Sequence, residues 1–265
     1  EIWVAKLDYL ATWHNVFEKA QSQGYELWFY TVGIFQKGSY PNKTVDVPLI
    51  ESRILHWLNY RFGLKGYLHW GFNHWTDDPF EAPGRHRGDG WQVYPKKNGL
   101  INSLRWEQMR NGIQDYEYLW MLEDKIAKIK AGLGERLSII EPSYRGVEIA
   151  SQVVKTMNTY SKNPHILYAA KRQIINEMLD LDRLPKLIVQ TNPLEHATVG
   201  NDCAIDFYGW AEPGTKIVVN GRALPVSEDG LFMENVRLSR DNTIVVEAEH
   251  KKSKKTIIRS FEVLY

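Results

Sequence analysis

Residues 1–75 run EIWVAKLDYLATWHNVFEKAQSQGYELWFYTVGIFQKGSYPNKTVDVPLIESRILHWLNYRFGLKGYLHWGFNHW, and their rhythm decides the fold. Ile2–Leu7 (IWVAKL), Glu26–Val32 (ELWFYTV) and Gly66–Phe72 (GYLHWGF) are short apolar, β-branched or aromatic runs that read as strands. Between them Tyr9–Ser22 carries apolar residues at helical spacing before Gly24, and Pro48–Phe62 does so before Gly63. Near-continuous apolar strands alternating with amphipathic helices predict a parallel sheet with helices outside it. Three strands do not close a barrel, and a complete eightfold barrel takes about 250 residues. If this is a barrel, more than about 100 residues of it lie elsewhere.

Outward from that pattern, residues 73–102 (NHWTDDPFEAPGRHRGDGWQVYPKKNGLIN) lack periodicity and read as one long loop after the third strand. Ser103 is placed to cap a helix running to about Lys130, with Leu104, Met109, Ile113, Tyr116, Trp120 and Ile126 as its apolar stripe. Two more helical patterns cover about Pro142–Tyr160 and His165–Asp182. After Pro185 the pattern changes to short alternating runs about ten residues apart. Turn signals stand at Pro213-Gly214, Asn220-Gly221, Asp229-Gly230 and Asp241-Asn242, which predicts a β-sandwich. The expected division is 1–130 barrel segment, 131–185 helical extension and 186–265 sandwich.

Composition narrows the function classes. Lys plus Arg number 33 against Asp plus Glu 32, so no net charge draws the chain to nucleic acid or an anionic membrane. No apolar run reaches the roughly 18 residues of a membrane span. Cys203 is the sole cysteine, which rules out an intrachain disulfide. Of the 10 Trp and 14 Tyr, nine of each stand before residue 121, where flat amphipathic rings serve either a core or a sugar cleft.

In a parallel barrel, chemistry sits at the carboxyl ends of strands and in the loops that follow. Those positions are Lys6, Leu7 and Asp8, then Tyr30 and Thr31, then Trp70 through Trp75. Trp70 and Trp75 offer indoles that stack on a pyranose face, and Asn73 a carboxamide that reads hydroxyl or acetamido groups; the same residues also serve as core and turn. Asp77, Asp78, Glu81 and Asp89 form an acidic group, but Asp78-Pro79 and Asp89-Gly90 are ordinary turn formers. Neither His74 nor His86 belongs to a metal-binding spacing, so no metal and no cofactor is expected. Arg105, Arg110, Asp115 and Glu117 read as structural ion-pair formers.

Three ordered motifs, GYLHWGFNHWTDDPFE, GDGWQVYP and SLRWEQMRNGIQDYEYLWML, resemble the carboxy-terminal part of the glycoside hydrolase family 123 catalytic domain. IWVAKLDYL, GYELWFYT and ESRILHWLNYRFGLKG are similar to it as well, so the resemblance covers about residues 1–130. It implies the end of a (β/α)8 TIM-type barrel and a β-N-acetylhexosaminidase-like activity. In that chemistry the substrate's acetamido oxygen attacks the anomeric carbon, an Asp orients the acetamido group and an adjacent Glu protonates the leaving oxygen. No Asp-Glu pair ends a strand here, so the catalytic residues are expected upstream of Glu1 and this chain alone is expected to be inactive. Glycan contacts carry over to Tyr30, Trp70, Asn73, Trp75, Trp91 and Tyr94. The expected partners are a glycan and the remainder of the barrel, which a separate chain can supply.

The tail segment YGWAEPGTKIVVNGRALPVSEDGLF resembles bacterial immunoglobulin-like modules of surface glycosidases. An extracellular, periplasmic or cell-surface location is therefore expected. The competing reading is a non-catalytic carbohydrate-binding or scaffold protein.

Overall fold

The computed structural model describes residues 1–35, 39–132 and 138–264. The chain is mixed α/β with several sheets, none of which closes into a barrel among the described residues. In order, β1 (Ile2–Lys6), α1 (Leu7–Thr12), α2 (His14–Ser22), β2 (Glu26–Tyr30), α3 (Ile50–Arg61) and β3 (Gly66–Leu68) realise the strand and helix alternation. The three strands lie side by side as β1-β2-β3, all parallel, with Lys6, Tyr30 and Leu68 in register at their carboxyl ends. Both expected helix stops hold, with Gly24 and Gly63 at positive φ.

Several boundaries differ from the sequence reading. The first helix is broken at Trp13, whose φ of −111° and ψ of 33° leave the helical region between α1 and α2. The strands are shorter than read because Leu7 already begins α1 and the chain leaves β3 after Leu68. Within the long loop, β4 (Val93–Lys96) and β5 (Gly99–Asn102) form a hairpin. The helix capped by Ser103 is present as α4 (Leu104–Ala131), and the Ser103 hydroxyl accepts the Trp106 amide at 3.1 Å. After it come α5 (Tyr144–Val153), the small pair β6 (Val154–Thr156) and β7 (Thr159–Tyr160), and α6 (Pro164–Asp182).

The expected apolar stripe of α4 is corrected. Leu104, Ile113 and Trp120 are exposed, and the buried seam is Arg105, Met109, Gly112, Asp115, Leu119, Leu122 and Ile126. Two charged residues sit in that seam because each finds partners. Arg105 donates to the Lys43 and Gly88 carbonyls at 2.6 and 2.8 Å, and Asp115 takes Arg53 Nε and Nη2 at 2.6 and 2.9 Å. A Cβ on Gly112 would meet the Arg53 carbonyl at 2.5 Å, so glycine is what lets α4 approach α3 there.

The chain groups into two compact units, 1–119 with 149–171, and 120–148 with 172–265. The first has its core around Leu27, Phe29, Ile54, Trp57 and Leu58, all essentially inaccessible. The second adds β8 (Leu187–Asn192), β9 (Thr198–Gly200), β10 (Ala204–Ala211), β11 (Lys216–Val219), β12 (Arg222–Leu224), β13 (Leu231–Arg237), β14 (Thr243–His250), β15 (Ser253–Ser260) and β16 (Glu262–Leu264). They form the sheets β13-β10-β8 and β12-β11-β14-β15, both antiparallel, and the parallel pair β16-β9. One apolar cluster draws Val189, Phe207 and Phe232 from the first sheet and Ile217, Val246 and Ile244 from the second. Arg145 is buried in this unit and pairs with Glu148 Oε2 at 2.7 Å and Glu177 Oε1 at 2.8 Å.

Candidate active-site rim

The Tyr67 and Thr31 hydroxyls, 2.7 Å apart, tie the ends of β2 and β3 together, and at the end of β1 Lys6 Nζ lies 3.0 Å from the buried Asp8 carboxylate. Immediately after β3, His69 places Nδ1 3.0 Å from the Thr31 carbonyl and Nε2 2.6 Å from the Asp89 carbonyl. The loop is thereby pinned to the strand ends. Burial and the neighbouring Lys43 ammonium lower the His69 pKa, against which the two carbonyls and the Asp89 carboxylate act. Lys43 is itself buried, and that burial takes its pKa down to about 6 despite Asp89 nearby.

Asp89 is the hinge of this arrangement. It is 1% exposed, and its Oδ2 accepts the Trp70 indole N–H at 2.6 Å. Trp70 is left 51% exposed, flanked by the His69 and His74 rings at 6.1 and 5.5 Å between centroids. A long loop folds back this closely only because two glycines meet: a Cβ on Gly71 would fall 2.5 Å from the Gly90 carbonyl oxygen. His74 N–H donates to the Gly90 carbonyl at 3.0 Å and Gln92 N–H to the Phe72 carbonyl at 2.7 Å, so 72–74 and 90–92 run as a short ladder.

The six expected glycan contacts fall in different settings. Trp70 and Asn73 are exposed, and Asn73 bridges the Trp91 backbone. Trp75 is half-buried, with its indole N–H spent on the Val93 carbonyl at 2.7 Å. Trp91 is 3% exposed and packs edge-on to Tyr94 at 6.4 Å. Tyr94 is half-buried and stacks on Phe80 at 5.1 Å with planes 27° apart. Tyr30 is half-buried at the end of β2. Asp78 is a turn residue, accepting the Phe80 and Glu81 amides at 3.2 Å. Among the described residues no cluster of His, Cys, Asp or Glu suits a metal.

Sequence reasoning missed Asp89 as the group that fixes Trp70 and His69 as the group that pins the loop to the strand ends. Asp89 does close a turn, its amide 3.0 Å from the His86 carbonyl, and the Asp-Gly signal spoke only of that. A cavity of about 450 Å³ lies along β3 beside α3 and α4, with His56, Tyr67, His69, Phe72, Trp106 and Met109 among its walls.

Residues 4–122, which carry this whole rim, match the family described as glycoside hydrolase 123, catalytic domain. That segment is thus similar to the family's catalytic domain. No curated protein matches the chain. Among solved structures, a family 123 glycoside hydrolase from Clostridium perfringens, described in connection with glycolipid glycan hydrolysis, is similar at a TM-score of 0.42 and 16% identity. The similarity covers 66% of this chain and 30% of that one, so the chain spans under a third of that relative's length. An endo-β-1,4-mannanase from Thermotoga petrophila has a TM-score of 0.23 at 8% identity, covering 99% of this chain and 47% of its own. A modular endo-β-1,4-mannanase from Cellulomonas fimi gives 0.24 at 8% identity, covering 99% and 53%. The glycoside hydrolase 123 segment holds every described residue of the Trp70 setting, from Thr31 to Asp89. Among the described residues, no helix is long and apolar enough to cross a membrane.

Proposed function

We propose that the protein is a glycoside hydrolase acting on amino-sugar-containing or related glycans, and that residues 1–265 supply part of its sugar-binding wall. The match of residues 4–122 to the glycoside hydrolase 123 catalytic domain supports the reaction class. The observation that carries the site is Trp70, an indole locked by Asp89 at 2.6 Å yet half open to solvent just past the end of a parallel strand. An immobilised, exposed ring loses little entropy when a pyranose stacks on it.

In this reading β1, β2 and β3 are the closing strands of a (β/α)8 barrel, and the two antiparallel sheets after Pro185 are an immunoglobulin-like module. Trp70 stacks the sugar and Asn73 reads its polar substituents, with Tyr30, Trp75 and Tyr94 beside them and Trp91 supporting Asn73 from beneath. An Asp-Glu pair outside residues 1–265 performs the substrate-assisted, retaining cleavage. Asp8 and Asp89 do not take that role, because each is buried and already engaged with Lys6 or Trp70. The outer edge of β1, where Ile2, Trp3 and Val4 are 54%, 37% and 40% exposed, supports pairing with further strands from outside the chain. The proposed location is extracellular, periplasmic or cell-surface. Trp70→Ala in the full-length enzyme tests the wall: kcat/KM for aryl β-N-acetylhexosaminides is expected to fall about tenfold or more, with circular dichroism showing the fold retained and a modest drop in melting temperature from the donor that buried Asp89 loses. Unchanged kcat/KM would remove Trp70 from the site.

A further inference from the structure

The outer face of the sheet β13-β10-β8 has an order that the packing of its own unit does not require. Partners in register lie on the same face, so two cross-strand rows can be read off. One is Asn192, Asp206 and Asn235; the next is Gln190, Tyr208 and Met233. The rows stand about 7 Å apart, two residues along each strand. Behind them Phe207, Val189, Phe232 and Val236 point the other way into the core. A cleft of about 590 Å³ opens over the two rows and takes in Tyr144 and Leu194 at its side. That volume is in the range of small-molecule sites.

The groups in this cleft divide into those already used and those still open. Gln190 is spent on the Glu141 backbone, donating to its carbonyl at 2.7 Å and accepting its amide at 3.1 Å. The Tyr144 hydroxyl is saturated by Glu148 and the Thr191 backbone. Asp206 Oδ2 accepts Asn192 Nδ2 at 3.1 Å, which fixes both side chains. Among the described residues, the Tyr208 hydroxyl and the Asn235 carboxamide have no hydrogen-bond partner. Met233 is 65% exposed beside the Tyr208 ring, an apolar thioether left in water.

We propose that this cleft is a second glycan site, separate from the Trp70 rim, that binds neutral oligosaccharides. Tyr208 and Met233 form the apolar floor on which one face of a pyranose lies. Asn192, Asp206 and Asn235 supply donors and acceptors in a line along its hydroxylated edge. Among the described residues no Lys, Arg or His lines the cleft, whereas Asp206 and Glu234 do, so uronates, sulfated sugars and phosphates are disfavoured there. The inference goes beyond the hydrolase reading: it gives the second unit a role in holding polymeric substrate or product, and it stands whether or not the rim belongs to an enzyme.

The test is a nitrogen-15 NMR titration of the whole chain with chitotriose and cellotriose as neutral probes, trigalacturonate as the anionic probe and trilysine as the cationic one. The neutral trisaccharides are expected to shift amides of β8, β10 and β13, and trigalacturonate is not. Tyr208→Ala is expected to weaken binding about tenfold, the loss of one stacking contact, and Asn235→Ala about threefold. Trp70→Ala should leave these shifts unchanged. Circular dichroism checks that each variant folds, and Asn235→Ala, an exposed change on an edge strand, carries the expectation alone if Tyr208→Ala does not. The proposal is overturned if neutral trisaccharides leave β10 unshifted or shift only the Trp70 rim. It is overturned equally if Tyr208→Ala and Asn235→Ala bind as the parent does, or if only trilysine shifts the sheet, which would make the cleft a peptide groove. Loss of hydrolase activity in Trp70→Ala tests the rim and leaves this result untouched.

Discussion

Asp115 shows how much of a structure one residue can hold. It is fully buried and accepts Arg53 twice, the Trp57 indole at 3.0 Å and Lys171 Nζ at 2.9 Å. Removing it leaves buried Arg53 uncompensated, which costs about 3–5 kcal/mol. Asp115→Ala should therefore lower the urea midpoint sharply, and adding Arg53→Met to that change should recover part of the loss. His56 is the second residue with a measurable signature. Burial takes its pKa down to about 4, and its Nε2 has no hydrogen-bond partner, so the folded protein holds it neutral. Between pH 6.5 and 4 the unfolded chain binds a proton that the folded chain refuses. Stability thus falls on acidification through that window, by about 3 kcal/mol from this group, and levels off below it. His56→Gln is expected to flatten that part of a pH–stability profile; an unchanged slope would mean the ring is charged in the fold. The buried neutral state of His56 was not legible in sequence. Asp115 did read as a structural ion-pair former, but not which residue pairs with it, because Arg53 is 62 positions away.

At the scale of elements, the alternation of strands and helices was legible because it depends on local apolar spacing alone. So were the Ser103 cap and the Asn220-Gly221 turn, where φ of 47° and 80° suits the two-residue hairpin between β11 and β12. The equivalent turn between β14 and β15 was not, because Lys251 adopts φ of 53° with no Gly or Asn to signal it. The seam of α4 was misread for a related reason. Periodicity weighs apolar residues, and this helix buries Arg105 and Asp115 by pairing them while Leu104 and Ile113 face out. Leu119→Ala on the seam is expected to cost about 2–5 kcal/mol, whereas Ile113→Gln should change stability by about 0.5 kcal/mol or less, both read from denaturant midpoints. Equal costs would put Ile113 back in the core.

At the scale of the whole molecule, the three-stranded parallel sheet is the feature that most needs explaining. Parallel sheets are ordinarily covered on both faces, yet β1 leaves three consecutive apolar residues in water. The sequence announced this shortfall, since three strands fall short of any closed cylinder. What it could not announce was the Trp70 setting, which depends on Gly71 meeting Gly90 across a loop. In solution, residues 1–265 alone are expected to self-associate through the β1 edge, seen as a concentration-dependent sedimentation coefficient, and Val4→Lys should reduce it. A strictly monomeric chain at high concentration would remove the case for an outside strand.

The most direct test compares turnover. The full-length protein and residues 1–265 are assayed side by side with aryl β-N-acetylgalactosaminide and β-N-acetylglucosaminide. The expected result is hydrolysis with retention by the full-length protein and none by residues 1–265. Turnover by residues 1–265, or a full-length protein inert toward every aryl glycoside offered, would contradict the account.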